Sequence, residues 1–360
     1  MNSILQSKLG LECAIVQAPM AGGPTTPELL VAVTEAGALG SFGFAYSSAE
    51  QIHTQCQAYR RLCADRKLAP DCGWNANFFV FPEVLEPADT TVVAAVKCLE
   101  PLARRVSVDA DAMTHQSCLP TLHDQIEAAL AYKPSLISFH LGIPPLDLVE
   151  MIHAAGCHVA MSATSVIEAK SVQAAGADFI VAQGYEAGGH RGIFDPQGND
   201  EKLAIAGLVE KLTANCELPV IASGGIMNGQ DIASIIRTGA DAVQMGSAFL
   251  TVDECGSQEV YRAAINSFGE RDTRLTRGFS GRPARGIRNL FIDSMDGADT
   301  VLPFPWQNSL TGALRKSAGG SKDFELMSLW AGSNYSQARN CSTAQLIQEL
   351  RQETADALAG

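Results

Sequence analysis

Short apolar runs recur along the first two thirds of the chain, separated by glycines and by segments of helical length. They are Ala14–Ala18, Ala38–Gly43, Gly73–Val80, Leu136–Leu141, His158–Ala163, Phe179–Gln183, Pro219–Ser223 and Ala242–Met245. Most are continuous rather than alternating, as strands are when a parallel sheet is buried on both faces. Helical patterns lie between them: Pro27–Ala36, Leu146–Ala155, Val166–Ala175 and Gly229–Thr238. The first has Thr26 in place to cap it and proline at its first position. Gly37, Gly156, Gly176 and Gly239 follow the four helices, where a left-handed helix end belongs. The repeated order of helix, glycine and buried strand predicts an α/β fold, and eight such strands predict a TIM (β/α)8 barrel.

Two regions depart from this rhythm. A long insertion, Pro82 to Tyr132, separates the third and fourth strands and contains a predicted helix, Thr91–Leu102. Beyond Leu250 the texture changes, and Glu254 to Gly332 is richer in charge, arginine, glycine and proline, with no further buried strand expected. The predicted division is a barrel over 1–253 and a smaller, mostly helical cap over 254–339. A last helix, Thr343–Leu358, has an apolar stripe (Leu346, Ile347, Leu350, Ala357) that should pack 340–360 back on the barrel. Six arginines fall between Asn266 and Arg288. Salt bridges holding the cap on an acidic barrel are expected of them; the alternative is a basic patch that receives an anionic ligand.

Composition narrows the partners. With 360 residues, 46% of them hydrophobic, the chain can bury a large core. Its net charge of −13 and lack of a long basic run argue against nucleic acid. Ten cysteines occur without a CxxC pair or a Cys/His zinc spacing. No metal site is therefore expected, and reduced thiols suit a cytoplasmic protein. Neither a leader-like N-terminus nor a membrane-length apolar run is visible. A homodimer is compatible with all of this.

The candidate chemistry sits where strands run into glycines. Gln183–Gly192 reads Q-G-Y-E-A-G-G-H-R-G: a side-chain amide, the pair Gly188-Gly189 that lets backbone approach a ligand, and His190 as acid, base or donor. A glycine-rich surface turn with a solvated histidine is the plainer reading. Downstream, Ser223-Gly224-Gly225 and Gln244-Met245-Gly246-Ser247 follow the last two strands. The loops after strands seven and eight of such a barrel often hold phosphate through backbone N–H groups, without a lysine.

With these junctions in place, the chain resembles the nitronate monooxygenase (2-nitropropane dioxygenase) family, class I branch, from Ile15 to about Arg339. The matching stretches are Gln17–Gly23, Ser138–Gly142, Gln183–Gly192, Pro219–Gly225, Gln244–Phe249, Phe279–Gly286, Pro305–Thr311 and Ser328–Gly332. The resemblance implies FMN in a capped TIM barrel and oxidation of alkyl nitronates, of the propionate 3-nitronate type, by O2 through a flavin semiquinone, a detoxifying reaction. It implies Met20 and Ala21 against the isoalloxazine, polar flavin contacts from Asn77 and Gln183, and a backbone contact at Gly188 beside Gly189. The phosphate cradle would be Ser223, Gly224, Gly225, Gln244, Met245, Gly246 and Ser247. His190 and His140 match the active-site histidines, His190 being cationic or donating toward a nitronate and a base toward a neutral nitroalkane. Relatives often place tyrosines near the substrate where this chain has Phe304 and Trp306.

An FMN-dependent NAD(P)H:quinone or enoyl-thioester reductase is the nearest alternative, since reductases on a related barrel share a G-G-H segment. No GxGxxG fingerprint follows a strand here, which favours a reaction without NAD(P)H. A flavin-binding protein without turnover would not require a histidine at the barrel mouth. An IMP dehydrogenase-like enzyme would need a cysteine in the loop that here holds Glu186 and His190.

Overall fold

A computed structural model describes residues 3–69, 72–81, 85–116, 119–267, 269 and 271–360. Pro82, at the expected start of the insertion, and Cys118 lie outside the described residues. Among the described residues there are eleven strands: β1 (Ile15–Gln17), β2 (Gly40–Gly43), β3 (Trp74–Phe79), β4 (Leu136–His140), β5 (His158–Ala163), β6 (Phe179–Gln183), β7 (Gly189–His190), β8 (Val220–Ser223), β9 (Ala242–Met245), β10 (Thr273–Thr276) and β11 (Ala284–Ile287). Eight of them pair in parallel in the order β1-β9-β8-β6-β5-β4-β3-β2. A parallel bridge between Val16 and Leu39 joins the two ends and closes the barrel. Thr26 caps its helix as expected, accepting from Leu29 N–H, and Asn228, not singled out from sequence, caps Gly229–Arg237 by accepting from Asp231 N–H.

The strand period of two sorts every barrel residue to one of two environments. Ile137, Phe139, Ile180, Ala182, Ala222, Val243 and Met245 join the layer between strands and helices. The residues between them face inward, and inside the barrel chemistry changes with height. At the N-terminal end Val16, Leu39, Leu136, Phe179, Ile221 and Ala242 form an apolar plug with Leu5 and Leu9 of the helix Ile4–Leu9. Asp241 holds that helix by accepting from Ile4 N–H and Leu5 N–H, at 2.7 and 2.8 Å. One layer higher, the inward positions become polar: Asn77, Ser138, Ser162, Gln183, Ser223 and Gln244 line a cavity at the C-terminal mouth.

A second apolar cluster, separate from that of the barrel, runs through the cap and takes in Leu99 and Leu102 of the insertion's helix, Asp89–Arg105. The cap is not free of buried strands. β10 and β11 pair antiparallel, β11 is buried throughout, and its other edge pairs with β7, which carries His190. Leu346, Ile347 and Leu350 of the helix Thr343–Ala359 join the barrel's outer layer. Among the described residues, no helix is long and apolar enough to cross a membrane.

The arginine-rich segment divides by burial. Exposed Arg271 pairs with Glu325, and Arg288 with Asp293, each at 2.8 Å, so these bridges brace the cap internally. The tie to the barrel runs instead through buried guanidinium groups that donate to main-chain carbonyls. Arg282 donates to Ile193 O. Arg285 donates to Tyr185 O at 2.7 Å and lies over the Tyr185 ring at 4.6 Å. Arg285→Met should leave the Tyr185 and Thr273 carbonyls without their donors and destabilise the fold by about 1–3 kcal/mol. Urea unfolding monitored by circular dichroism measures this; an unchanged midpoint would mean that the arginine contributes nothing to the junction.

Candidate active site

The polar layer of the barrel and the underside of the cap enclose a cavity of about 830 Å³. That is large for a ligand pocket and leaves room for a cofactor and a small substrate together. Its wall includes Met20, Ala21, Asn77, His140, Gln183, Gly188, Gly189, His190, Ser223, Gly224, Gly225, Gln244, Gly246 and Ser247. Met245 is absent from the wall. Its side chain falls on the opposite phase of the strand and is buried in the outer layer, so only its main chain is available near the turn.

The loop from Gly188 to Gly192 is held with little freedom. His190 O accepts from Gln183 Nε2 at 2.9 Å and lies 3.0 Å from His140 Nε2. A carbonyl only accepts, so His140 must carry its proton on Nε2. Its Nδ1 then accepts from Ser162 Oγ at 2.7 Å. Gln183 Oε1 accepts from Gly192 N–H at 2.7 Å, and Arg191 pairs with Asp200 while donating to Gln183 O. Gly188 sits under the cap: a Cβ there would lie 2.5 Å from the backbone of Ala331 and Gly332. Gln183 and His140 thus serve first to fix the loop.

The His190 ring is caged by Phe79 from the barrel and by Phe304 and Trp330 from the cap, at 5.5, 6.0 and 5.9 Å between centroids. Its Nε2 lies 3.0 Å from Ser280 Oγ. Burial, then the neighbouring His140, Arg282 and Arg315, hold its pKa down at about 3. Burial lowers His140 to about 4. Burial thus favours the neutral ring at neutral pH, which suits the donating rather than the cationic of the two forms expected toward a nitronate, and the expected base. Trp306 lies away from the cavity wall, against His115. Among the described residues, Tyr46, Phe79, Phe139, Tyr261 and Trp330 contribute aromatic rings to the wall.

At the two glycine turns, the N–H groups of Gly225, Gly246 and Ser247 donate to no protein acceptor among the described residues. Ser247 Oγ accepts from Gly332 N–H at 2.9 Å, which leaves its own proton to give. Asn334 Nδ2 donates to Gly225 O at 2.7 Å, so the cap segment closes over the turn. This set of neutral donors suits an anion such as a phosphate monoester. Asn334, Gly332, Tyr46 and Arg315 were not singled out from sequence; only Gly332 belonged to a matched stretch.

The nitronate monooxygenase family profile matches residues 3–353. The chain is 37% identical over 350 residues to a nitronate monooxygenase of Pseudomonas aeruginosa, covering 96% of this chain and 97% of that one. It is 35% identical over 355 residues to a probable nitronate monooxygenase of Bacillus subtilis, with 98% and 99% covered. Among solved structures, nitroalkane oxidase from Streptomyces ansochromogenes superposes with a TM-score of 0.86 at 32% identity, 99% of each chain being covered. FabK from Thermotoga maritima gives 0.75 at 25% identity, with 100% of this chain and 98% of that one covered.

A neutral, buried His140 has a consequence for stability. Its folded pKa is about 4 against an ordinary 6.5. Between those values the unfolded chain binds a proton that the folded chain refuses, so stability is highest above the window and falls as pH drops through it. His140→Gln removes that proton uptake. Its stability should decline less steeply than wild type between about pH 6.5 and pH 4, as read from urea midpoints. Parallel declines would mean that His140 is protonated in the native protein.

Proposed function

The chain belongs to the nitronate monooxygenase family, and from that premise we propose that it is an FMN-dependent enzyme that oxidises alkyl nitronates with O2, removing toxic compounds of the propionate 3-nitronate class. The observation that carries this reading is the meeting, in one cavity, of an anion-binding glycine cradle and a neutral histidine. The free N–H groups of Gly225, Gly246 and Ser247, with the Ser247 hydroxyl, fit the terminal phosphate of FMN. Met20, Ala21, Asn77 and Gln183 would flank the ring system. Bound there, FMN supplies the electron transfer between the nitronate and O2.

The rest falls to the chain's own groups. A nitronate is an electron-rich anion, and it needs donors and orientation rather than activation. His190 can donate through one ring nitrogen to a nitronate oxygen. With its Nε2 proton given to Ser280, it can instead offer Nδ1 as a base to the α-proton of a neutral nitroalkane. The cap, through Trp330 and Phe304, keeps water from this ring.

The purified protein should be yellow and release FMN, not FAD, on acid precipitation; FAD or a colourless protein that ignores added FMN would remove the cofactor assignment. Gly225→Val should lose the flavin while the barrel stays folded. Gly225 has φ +71°, and a Cβ there would come within 3.0 Å of Glu186 Cβ. Full flavin content in this variant would place the phosphate elsewhere. Anaerobic NADH should leave the flavin oxidised, whereas bleaching would assign a reductase.

His190→Asn should keep its flavin and lose about 10²–10⁴-fold in activity on a neutral nitroalkane, with a smaller loss on a preformed nitronate. The lowered pKa keeps the wild-type base unprotonated, so nitroalkane turnover should hold steady as pH falls from about 8 to 6. A limb near the ordinary histidine value would show that the ring titrates freely. Equal losses on both substrates would leave His190 a purely electrostatic role.

A further inference from the structure

Two thiols meet at the end of the barrel away from the cavity. The helix Ala49–Asp65 leads into β3, and the corner between them is tightly folded. Lys67 takes the left-handed conformation, with φ 56°. Its N–H donates to Ala64 O at 3.0 Å, and Leu68 N–H donates to Cys63 O at 2.9 Å. These two bonds close the helix end as a Schellman turn and send the chain back over its own last turn. Cys72 N–H then donates to Ala69 O at 3.1 Å. Cys72 Sγ is thereby brought 3.7 Å from Cys63 Sγ, nine positions earlier in the chain. Among the described residues, no other two cysteines hydrogen-bond to each other.

The surroundings make the two sulfurs unequal. Cys63 is buried, whereas Cys72 is half-buried and open to a small solute. Tyr59 Oη lies 3.3 Å from Cys72 Sγ and 3.2 Å from Thr34 Oγ1. Thr34 gives its one hydroxyl proton to Leu30 O at 2.8 Å, so toward Tyr59 it only accepts. Burial, then Cys72, hold the pKa of Tyr59 above its ordinary value, so the phenol keeps its proton. The hydrogen bond with Cys72, then burial, keep Cys63 a thiol. A thiolate at Cys72 would meet two donors, the Tyr59 hydroxyl and the Cys63 S–H, and hydrogen bonds to a charged form favour it.

We propose that Cys72 and Cys63 are a peroxide-sensitive dithiol, in which Cys72 is oxidised first and Cys63 captures it as a reversible disulfide. The Cys72 thiolate attacks one oxygen of hydrogen peroxide, the O–O bond breaks, and hydroxide leaves. Cys72 has then lost two electrons and is a sulfenic acid. The Cys63 sulfur attacks the Cys72 sulfur, the S–O bond breaks, and the departing hydroxide takes the Cys63 proton and leaves as water. In sum, two thiols and one peroxide give one disulfide and two waters. The sulfurs must close from 3.7 Å to about 2.0 Å, a movement that side-chain rotation supplies. Capture by Cys63 prevents further oxidation of Cys72 to sulfinic acid, which thiols do not reverse. The proposal does not rest on the nitronate reading.

The test treats reduced, purified protein with a few equivalents of hydrogen peroxide, quenches it in acid and maps the tryptic peptides without reduction. Peptides 62–66 and 68–97 should appear joined, two hydrogens lighter than their sum, before other cysteines are oxidised. Dithiothreitol should separate them. Cys63→Ser should abolish the link and raise dimedone labelling of Cys72 at least about 5-fold over wild type, because the sulfenic acid is no longer captured. Tyr59→Phe should slow loss of the Cys72 thiol about 3- to 10-fold, the worth of a hydrogen bond to a thiolate partly offset by the nucleophilicity of a more basic sulfur. Should either variant fail to fold, the wild-type map decides. Disulfides spread over other cysteines, sulfinic acid at Cys72 with Cys63 still a thiol, or a pair left reduced while other cysteines oxidise would each overturn the proposal. Equal dimedone labelling of wild type and Cys63→Ser would overturn the order of events.

Discussion

The carbonyl oxygen of His190 takes up hydrogen bonds from two barrel side chains, Gln183 Nε2 and His140 Nε2, and the geometry of the site depends on that shared acceptor. A loop segment rich in glycine has many conformations to lose. Here the barrel supplies enough fixed donors and acceptors to select one. Gln183 grips both His190 O and Gly192 N–H, and Arg191 is clamped by Asp200. The main chain then continues as β7 onto β11. Positioning by a rigid scaffold is what a site of this kind requires, since a small displacement of a donor or base is enough to weaken catalysis.

This arrangement needs an interior that is polar at one end only. Inward strand positions are apolar at the floor, where Leu136, Phe179 and Ile221 close the barrel around the helix Ile4–Leu9. At the mouth the same strands carry Ser138, His140, Gln183 and Ser223. Buried polar groups are costly unless paired, and this layer is extensively paired: Asn77 with Ser138, His140 with Ser162, Gln244 with Ser223. The lower core supplies the hydrophobic stabilisation, and the upper layer gives direction to a few groups that face the cavity.

Charge is distributed with the same economy. Both histidines are neutral because burial and nearby arginines disfavour their protonated forms. The buried arginines of the cap face carbonyls, so they tie cap to barrel without requiring acidic residues beside the site. Carboxylates near His190 would have raised its pKa; their place is taken by aromatic rings and main chain.

The sequence by itself determined the barrel and the position of its chemistry. Buried parallel strands leave continuous apolar runs, and the helix-ending glycines are written in local backbone preference, so the eight barrel strands and the turns at Gly225 and Gly246 were legible from neighbours in the chain. What depends on residues distant in sequence was not legible. β11 reads Ala-Arg-Gly-Ile and carries no strand signature, and it forms between β10 and β7, with Arg285 reaching the Tyr185 carbonyl and ring some hundred residues earlier in the chain. Met245 lies within a matched motif, yet the pleat turns its side chain to the helices. The charge state of His190 is set by what surrounds it. Desolvation and the absence of a counter-charge are properties of a packed environment, and only the tertiary structure decides them.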